Sequence, residues 1–434
     1  MTTTARVTWA AASARRLERQ FLTTAARQGT PVTEVVGAML GAHAQVLSAA
    51  ELSVGLRTAG VTRSDVRAAL REGEAGEAGE ARYAAERTAG EARARARYAA
   101  ERTVEVAPPA PPTAEARLSA RLVKTFGPRG TVHLLPAAEL PLWSAALSAV
   151  PSGPNPFRPD ARLTDEQAEQ VVAAIGEALE GACLTADELT EEIVVRTGPW
   201  AGDLVMPAFQ GWWPRWRQVL HRAGQTGALC FGPDRGRKVT YTRPPHFTPL
   251  PPEQALRTLV RRYLYSYGPA RPQHFARWLA TGATWATALF EKLAADGEIE
   301  ETVFENERAW VAAGDHDFPE NPRERQRGVR LLPYFDAYAI AAQPRERLFP
   351  GAASDRALAG GQAGNYPVLL VDGVVAGVWH QRRRGRRTTL TVEPLGDLTA
   401  HQQRQLADQA ERVGEVLEAT AELVVGEVTV GPHA

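Results

Sequence analysis

The sequence predicts an α+β fold with three tandem winged-helix units followed by a small C-terminal β-barrel-like domain. Residues Glu253–Val311 show the order helix, short helix, helix and hairpin, which is typical of a winged helix. The same order recurs twice towards the N-terminus, and strand patterns dominate from about Val329. The length of 434 residues suits about three domains of average size, and the pattern divides the chain into four units. We place them at 1–150, 151–250, 251–325 and 326–434.

The first unit, residues 1–150, is predicted from three helical segments and two strands. The helices are Arg15–Ala26, Thr33–Leu40 and Thr62–Arg71, and the strands are Arg121–Phe126 and Gly130–Leu135. Residues 72–112 interrupt this unit. They are rich in Ala, Glu and Arg, repeat the sequence Arg82–Thr88 at Arg97–Thr103, and have no apolar stripe. We interpret them as a solvated, helical insertion. A basic arm along DNA is the alternative, although the acidic residues nearly balance the arginines.

The second unit, residues 151–250, repeats the pattern with different lengths. Its predicted helices are Thr164–Leu179, Thr185–Thr197 and Trp216–Gly224. Thr185 is the expected N-cap of the second helix, since acidic residues follow it. Strands Ala228–Phe231 and Lys238–Thr242 form a hairpin across Gly232–Arg237.

The third unit, residues 251–325, has the clearest pattern. Its predicted helices are Glu253–Tyr267, Gln273–Leu279 and Thr284–Asp296, and its strands are Ile299–Phe304 and Arg308–Val311. Apolar residues recur at helical spacing in the first helix, and Gly268-Pro269 ends it. Winged helices usually bind DNA, but some serve as protein-interaction spacers. A generic α+β unit without a ligand is the further alternative.

The C-terminal region, residues 326–434, is predicted to form a small, partly closed sheet with a helix against it. The strands are Val329–Leu332, Tyr366–Val371, Val374–Gln381, Arg387–Val392 and Glu422–Val430. Asp372-Gly373 is a tight hairpin turn, and Thr399–Ala419 is the helix.

Composition excludes several classes of protein. No apolar run approaches the roughly 20 residues that span a bilayer, and the N-terminal residues lack the apolar core of a signal peptide. Cys183 and Cys230 are too few for a disulfide framework or a structural zinc site. The net charge of zero argues against a chain that coats nucleic acid, but it is compatible with a local basic groove. The two cysteines fit a reducing environment, so we expect a cytoplasmic location. No metal-ligand spacing or phosphate loop occurs, so we expect no metal or cofactor.

The densest positive charge lies at the tip of a predicted hairpin. Its members are Arg382, Arg383, Arg384, Arg386 and Arg387. Five guanidinium groups on a turn suit contacts to phosphates or insertion into a narrow minor groove. A solvated turn is the alternative, but self-repulsion among these groups favours a nucleic-acid partner.

His43 and Gln45 form a candidate catalytic pair. They are two residues apart in a segment that follows Gly41, so an extended chain places both side chains on one side. The imidazole could act as a base or a charged partner, and the amide could orient a water molecule. A capping or packing role for His43 is the alternative.

Three further residues are candidates for a pocket. His133 is expected to face away from its neighbours on the strand Gly130–Leu135. Asp336 follows an apolar strand, so it is either a buried structural acid or a pocket acid, and Tyr338 lies close to it. Trp212, Trp213 and Trp216 could hold a base, although core packing is the simpler interpretation.

Several motifs in a fixed order resemble the AlkZ-like winged-helix DNA glycosylases, the superfamily that includes the YcaQ-type enzymes. The motifs are Gly41–Gln45, Arg129–Leu135, Tyr267–Ala270 with Phe275–Trp278, Arg330–Tyr338 with Arg345 and Arg347, and Pro367–Gly373. The similarity extends over nearly the whole chain except residues 72–112. It implies three winged helices that cradle DNA and a C-terminal β-barrel.

The resemblance also implies an activity. These enzymes hydrolyse the N-glycosidic bond of bulky alkylated purines, including interstrand crosslinks. The family's catalytic triplet, Gln-apolar-Gln or Gln-apolar-Asp, falls on His43-Ala44-Gln45, where Gln45 matches and His43 replaces the more common Gln. Some paralogues carry His there. The expected partner is damaged double-stranded DNA, bound by a monomer. A non-catalytic winged-helix regulator and a degenerate member that binds without cutting are the rival hypotheses.

Overall fold

The computed structural model describes residues 6–71, 113, 118–153, 155, 157–208 and 211–432. The predicted insertion at 72–112 therefore lies outside the described residues. The chain combines helices with sheets whose strand pairs are mostly antiparallel, which confirms the α+β class. No helix in the described ranges is long and apolar enough to cross a membrane.

The N-terminal part contains a small three-stranded sheet flanked by short helices. Its elements are β1 (Arg6–Val7), α1 (Trp9–Arg19), α2 (Val32–Ala38), β2 (Ala42–His43), α3 (Leu47–Gly55), α4 (Arg63–Arg71), β3 (Leu122–Phe126), β4 (Val132–Pro136) and α5 (Leu140–Ser148). The order in the sheet is β2-β4-β3, and both pairings are antiparallel. Strand β2 was not predicted, although it carries His43.

The helix predicted at Arg15–Ala26 is wrong in its bounds. Helix α1 begins at Trp9, because the Thr8 side chain accepts a hydrogen bond from the Ala11 amide. It ends at Arg19, and Phe21 has a φ of 57°, in the left-handed region. That conformation is incompatible with a continuing right-handed helix.

Helices α3 and α5 were not predicted. Almost every residue of α3 from Ala49 to Gly55 is buried, and α5 is buried from Leu142 to Leu147. A helix that is covered on all sides has no polar stripe, so the 3.6-residue alternation that reveals surface helices is absent.

The second part contains two helices with well-formed caps and two small sheets. Its elements are α6 (Asp165–Ala178), β5 (Leu184–Thr185), α7 (Ala186–Thr197), β6 (Leu204–Pro207), β7 (Trp212–Pro214), α8 (Leu220–Gln225), β8 (Cys230–Phe231) and β9 (Thr240–Thr242). The predicted Thr185 cap is confirmed, since its hydroxyl accepts from the Glu188 amide. The predicted helix Trp216–Gly224 is instead a 3-10 turn, Arg215–Val219, followed by α8. The β6–β7 hairpin was not predicted.

The third part follows its prediction most closely. Its elements are α9 (Pro252–Tyr267), α10 (Pro272–Leu279), α11 (Ala283–Ala295), β10 (Ile299–Phe304) and β11 (Glu307–Ala312). The hairpin turn is the two residues Glu305-Asn306, both with positive φ. Strand β1 pairs in parallel with β10, so the N-terminal segment completes this sheet.

The C-terminal part is an open, half-barrel sheet with one long helix. Its elements are α12 (Pro322–Gln326), β12 (Val329–Leu332), α13 (Ala337–Ala341), α14 (Arg345–Leu348), α15 (Ala352–Ala357), β13 (Val368–Val371), β14 (Val374–Arg384), β15 (Arg387–Pro394), α16 (Ala400–Val416) and β16 (Thr420–Val425). The sheet order is β12-β13-β14-β15-β16. Helix α16 contacts both edge strands, β12 and β16. The predicted strand Glu422–Val430 is shifted, because the chain leaves the sheet after Val425.

Contacts distant in sequence join these parts. The fully buried Arg16 guanidinium donates to the carbonyl oxygens of Gly268, Pro269 and Gln343. Three backbone carbonyls in the N-terminal part, the first of them that of Gly55, accept from Arg412 of α16. The first, third and C-terminal parts therefore pack against one another.

Candidate active site

An open cavity of ≈530 Å³ lies where the N-terminal, third and C-terminal parts meet. Its walls come from β2, from the turn before β4, from α10, and from the loops around α13 and α14. The residues that line it are His43, Arg129, Thr131, His274, Arg277, Trp278, Phe335, Ile340, Ala341, Gln343, Arg345, Gly361, Gln362, Ala363 and Asn365. No carboxylate is among these described lining residues.

His43 forms part of the cavity wall, and its ring is packed on two sides. The ring centroid lies 4.6 Å from that of Phe335 and 5.1 Å from that of His133, which presents an edge to it. His43 is 7% exposed, and its Nδ1 has no hydrogen-bond partner among the described residues. An unpaired buried polar atom at a cavity wall is available to a ligand or a water molecule.

The local sequence fixes the position of His43. Gly41 has a φ of 98°, and a Cβ there would lie 2.8 Å from Leu135 Cδ2 and 3.3 Å from His133 Cδ2. Only glycine therefore lets the chain enter β2 at this point. Strand β2 then pairs with β4 so that His43 lies opposite His133.

Burial keeps both histidines neutral. Loss of solvation, with a smaller contribution from the charge of Arg129, lowers the pKa of His43 to about 4. Burial also holds the pKa of His133 well below its usual value, and its Nδ1–H donates to the Thr131 carbonyl at 2.8 Å. His43 is therefore in its unprotonated form near neutral pH.

Three arginines share the cavity with His43. Arg129 has a φ of 61°, a left-handed conformation that is uncommon for a residue with a side chain. Arg277 donates to the Gln343 side chain at 3.4 Å, and Arg345 donates to the carbonyls of Ile340 and Gly361. Burial, together with the charges of Arg277 and Arg129, lowers the pKa of Arg345 to about 10.

The structure brings together only part of the predicted site. Gln45 is exposed and is not among the residues that line the cavity. His133 lies behind His43 and borders a separate, very small void of ≈10 Å³.

Asp336 and Tyr338 do not line the cavity. Both carboxylate oxygens of Asp336 accept from Arg57, at 2.7 and 2.8 Å, and one also accepts from the Ser53 hydroxyl at 2.6 Å. The Tyr338 hydroxyl lies 3.0 Å from that of Ser13. Of the two interpretations of Asp336, the buried structural acid is confirmed. The prediction that these two residues line a pocket is not met, because their polar groups point into the protein interior.

The predicted arginine hairpin forms at the end of β14 and β15. Arg384 pairs with Arg387 across Gly385-Arg386, and Gly385 has a φ of 59°. The side chains of Arg382, Arg383, Arg384, Arg386 and Arg387 are exposed, and none forms an ion pair with a carboxylate among the described residues.

The predicted tryptophans divide into two groups. Trp216 is fully buried, and its indole nitrogen donates to the Thr190 hydroxyl at 2.9 Å, which confirms core packing. Trp212 and Trp213 are exposed on the β6–β7 hairpin, and Arg217 lies over the ring of Trp213. None of the three lines the cavity.

Sequence reasoning did not single out Arg129, Arg277 or Phe335 as site residues. They reach the cavity from a turn, a helix and a loop that are far apart in the chain, so no local spacing connects them. The turn Pro128-Arg129-Gly130 carried a weak signal, since Pro and Gly are both common turn residues. Nor do the described residues contain a group of three or more His, Cys, Asp or Glu side chains placed to hold a metal ion.

Comparison with known proteins shows that the chain is a DNA glycosylase. Residues 89–416 match the family model described as DNA glycosylase AlkZ-like, so the chain belongs to the AlkZ-like DNA glycosylase family. This confirms the resemblance inferred from the motifs. His43 and Gln45 lie before the matched range, and the family match therefore does not test their role.

Streptomyces sahachiroi supplies both a similar sequence and a similar solved structure. The first is an "Interstrand DNA cross-link repair glycosylase", 28% identical over 382 residues, which span 86% of this chain and 88% of the relative. The second is the solved structure of the Streptomyces sahachiroi DNA glycosylase AlkZ, with a TM-score of 0.66 and 25% identity. The superposition covers 97% of this chain and 100% of that one. The agreement extends over the whole length of both proteins.

Proposed function

We propose that this glycosylase hydrolyses the N-glycosidic bond of cationic, bulky alkylated purines in duplex DNA, including interstrand crosslinks, in repair or in self-resistance to a genotoxin. One observation carries the proposal: a neutral, desolvated His43 at the cavity wall, with its Nδ1 unpaired among the described residues. The name of the Streptomyces relative, an interstrand DNA cross-link repair glycosylase, supports crosslinks as substrates.

The proposed chemistry requires little acid catalysis. A purine alkylated on its imidazole ring is already cationic and leaves readily, so the enzyme has to stabilise the developing sugar cation and place a water molecule. Neutral His43 accepts the proton of that water, and we assign the Gln45 amide to orient it. Gln45 is exposed in this structure, so this role requires bound DNA to cover it. The reaction as proposed uses no metal or cofactor.

We also propose that residues 1–150, 151–250 and 251–325 form three winged helices around the duplex, with 326–434 as a β-barrel-like domain. The three helices and two-residue hairpin of 252–312 support this assignment best. The protein is proposed to act as a monomer in the cytoplasm, at the nucleoid. The exposed hairpin Arg382–Arg387 is proposed to contact phosphates or the minor groove.

Single-turnover base excision tests the proposed function. The substrates are duplexes with a simple methylated purine, a bulky alkylated purine or a crosslink. We expect His43→Ala and Gln45→Ala to lower the excision rate constant at least about 100-fold, or about 2.7 kcal/mol of barrier. The control is His401→Ala, an exposed histidine at the start of α16, with wild-type rates expected. Salt-sensitive binding without excision by wild type would instead favour a non-catalytic DNA-binding protein.

The pH profile of the same rate constant tests the proposed base. The base form of His43 is the active form, and its pKa is about 4. After correction for spontaneous depurination, the rate should be level from pH 8 to about 5 and fall only near pH 4. An inflection near the ordinary histidine value of about 6.5 would contradict a desolvated His43 as the base.

A further inference from the structure

The three cavity arginines are unusual because none of them is neutralised. Arg129 has no hydrogen bond or ion pair from its side chain to any described residue. Arg277 and Arg345 bond only to neutral groups, and the Nε of Arg345 is buried without a partner among the described residues. Arg347, by contrast, is paired with Glu305 at 2.5 Å.

Their mutual placement costs free energy in the unliganded protein. The charges of Arg277 and Arg129 both act on Arg345, and Arg129 also acts on His43. Like charges at the wall of a partly desolvated cavity raise its positive potential, and they attract an anion that can accept several guanidinium hydrogen bonds. The left-handed backbone at Arg129 is a further strain at this position.

The charge of the proposed substrate limits which part of the damaged DNA can enter the cavity. A cationic alkylated purine would be repelled by three guanidinium groups, so the base itself does not fit the charge of this wall. The phosphates on either side of the damaged nucleotide do fit it. The cavity volume of ≈530 Å³ is also in the range of sites for nucleotide-sized ligands.

We propose that the cavity binds the phosphodiester backbone beside the damaged nucleotide, with Arg129, Arg277 and Arg345 as its phosphate contacts. This rests on the proposed function for the identity of the damaged duplex. The phosphates neutralise the arginines and hold the sugar next to His43, while the alkylated base remains away from the cationic wall.

Salt dependence of duplex binding tests the contacts one at a time. Arg129→Gln, Arg277→Gln and Arg345→Gln should each reduce the slope of log affinity against log salt by about 0.9, the value for one phosphate. The matched control is Arg347→Gln, which lies two residues beyond Arg345 and outside the cavity lining, and whose slope should be unchanged. Thermal melts verify that each variant is folded. Arg277→Gln is the variant least able to disturb the fold, because Arg277 is exposed.

Uncharged methylphosphonates in the duplex identify the source of the phosphate. A single methylphosphonate beside the lesion should weaken duplex binding by the wild type about 10-fold. The same methylphosphonate should not weaken duplex binding by Arg129→Gln any further. Equal losses in both proteins would overturn the proposal. So would competition by inorganic phosphate with no methylphosphonate effect, since that would indicate a small-anion site. If wild type shows this coupling but excises nothing, the proposed function fails and the backbone site stands.

Discussion

Asp336 is a single residue that stabilises the structure beside the candidate active site. Its carboxylate accepts from Arg57 and Ser53 of the N-terminal part, while its backbone begins α13, whose residues line the cavity. The Arg57 and Asp336 side chains are both fully buried. The pair therefore fixes the wall that carries Phe335 relative to the strand that carries His43.

We expect Asp336→Asn to destabilise the protein without changing the chemistry. Removing one member of a buried ion pair leaves the other charge uncompensated, at a cost of about 3–5 kcal/mol. Urea unfolding measures the loss, and single-turnover excision under native conditions should give the wild-type rate constant. The double variant Arg57→Met/Asp336→Asn should lose less than the sum of the single variants. A large fall in rate at unchanged stability would assign Asp336 a catalytic role instead.

Single residues were predictable where the local sequence determines their geometry. Gly41 before His43 indicated a turn into an extended segment, and the structure places His43 at the cavity. Asp336 allowed two interpretations because burial depends on Arg57, which lies far away in sequence. The convergence of Arg129 with Arg277 and Arg345 is a property of the tertiary fold, and nothing in their local sequence indicates it.

At the scale of elements, amphipathic surface helices were found and uniformly buried ones were missed. Helix α9 has one apolar face and a glycine after its last turn, and its predicted bounds are nearly those observed. Helix α3 has no such contrast. The strand pairing of β1 with β10 was beyond prediction for another reason, since a two-residue strand has no detectable alternation.

The contact between α3 and α16 depends on the absence of a side chain at Gly55. A Cβ there would lie 2.4 Å from Val416 Cγ1 and 2.9 Å from Cγ2. We expect Gly55→Ala to lower the free energy of unfolding by about 1–3 kcal/mol, because α16 must move or Val416 must change rotamer. In Gly55→Ala/Val416→Ala the overlap is removed, so this double variant should be more stable than additivity predicts. Strict additivity in denaturant melts would argue against the contact.

The arginine hairpin is an element whose proposed role can be separated from catalysis. Its guanidinium groups are exposed and lie on a sheet whose residues do not line the cavity. We expect Arg384→Gln to reduce the salt slope of duplex binding by about 0.9 while the excision rate at saturating enzyme remains that of wild type. Thr389→Ala, further down the same hairpin, is the uncharged control. An unchanged slope for Arg384→Gln would indicate a solvated turn.

For the molecule as a whole, buried neutral histidines predict sensitivity to acid. Burial lowers the pKa of His43 to about 4 and that of His274 to about 3, and it lowers that of His133 in the same direction. In the unfolded chain each would titrate near 6.5. Between these values the unfolded state binds more protons, so stability is complete above about pH 6.5 and declines as the pH falls towards 4.

The size of this effect is measurable. The shift of His43 alone corresponds to about 3 kcal/mol once the pH falls below its native pKa. Urea unfolding at pH 7.5, 6 and 5 should show a progressive fall in the free energy of unfolding of the wild type. The fall should be smaller for His43→Asn. Stability that is level over this range would mean that the three rings are solvated in the native protein.

Two contacts that are distant in sequence affect folding during synthesis on the ribosome. Strand β1 pairs with β10, and Arg16 donates to carbonyls as distant as that of Gln343. Strand β1 and helix α1 cannot complete their native contacts until the chain has been synthesised as far as Gln343. Until then, part of the surface that α1 buries in the native protein stays uncovered. Synthesis that stops before Gln343 therefore leaves Arg16 without one of its three native carbonyl acceptors, and the segment is incompletely packed.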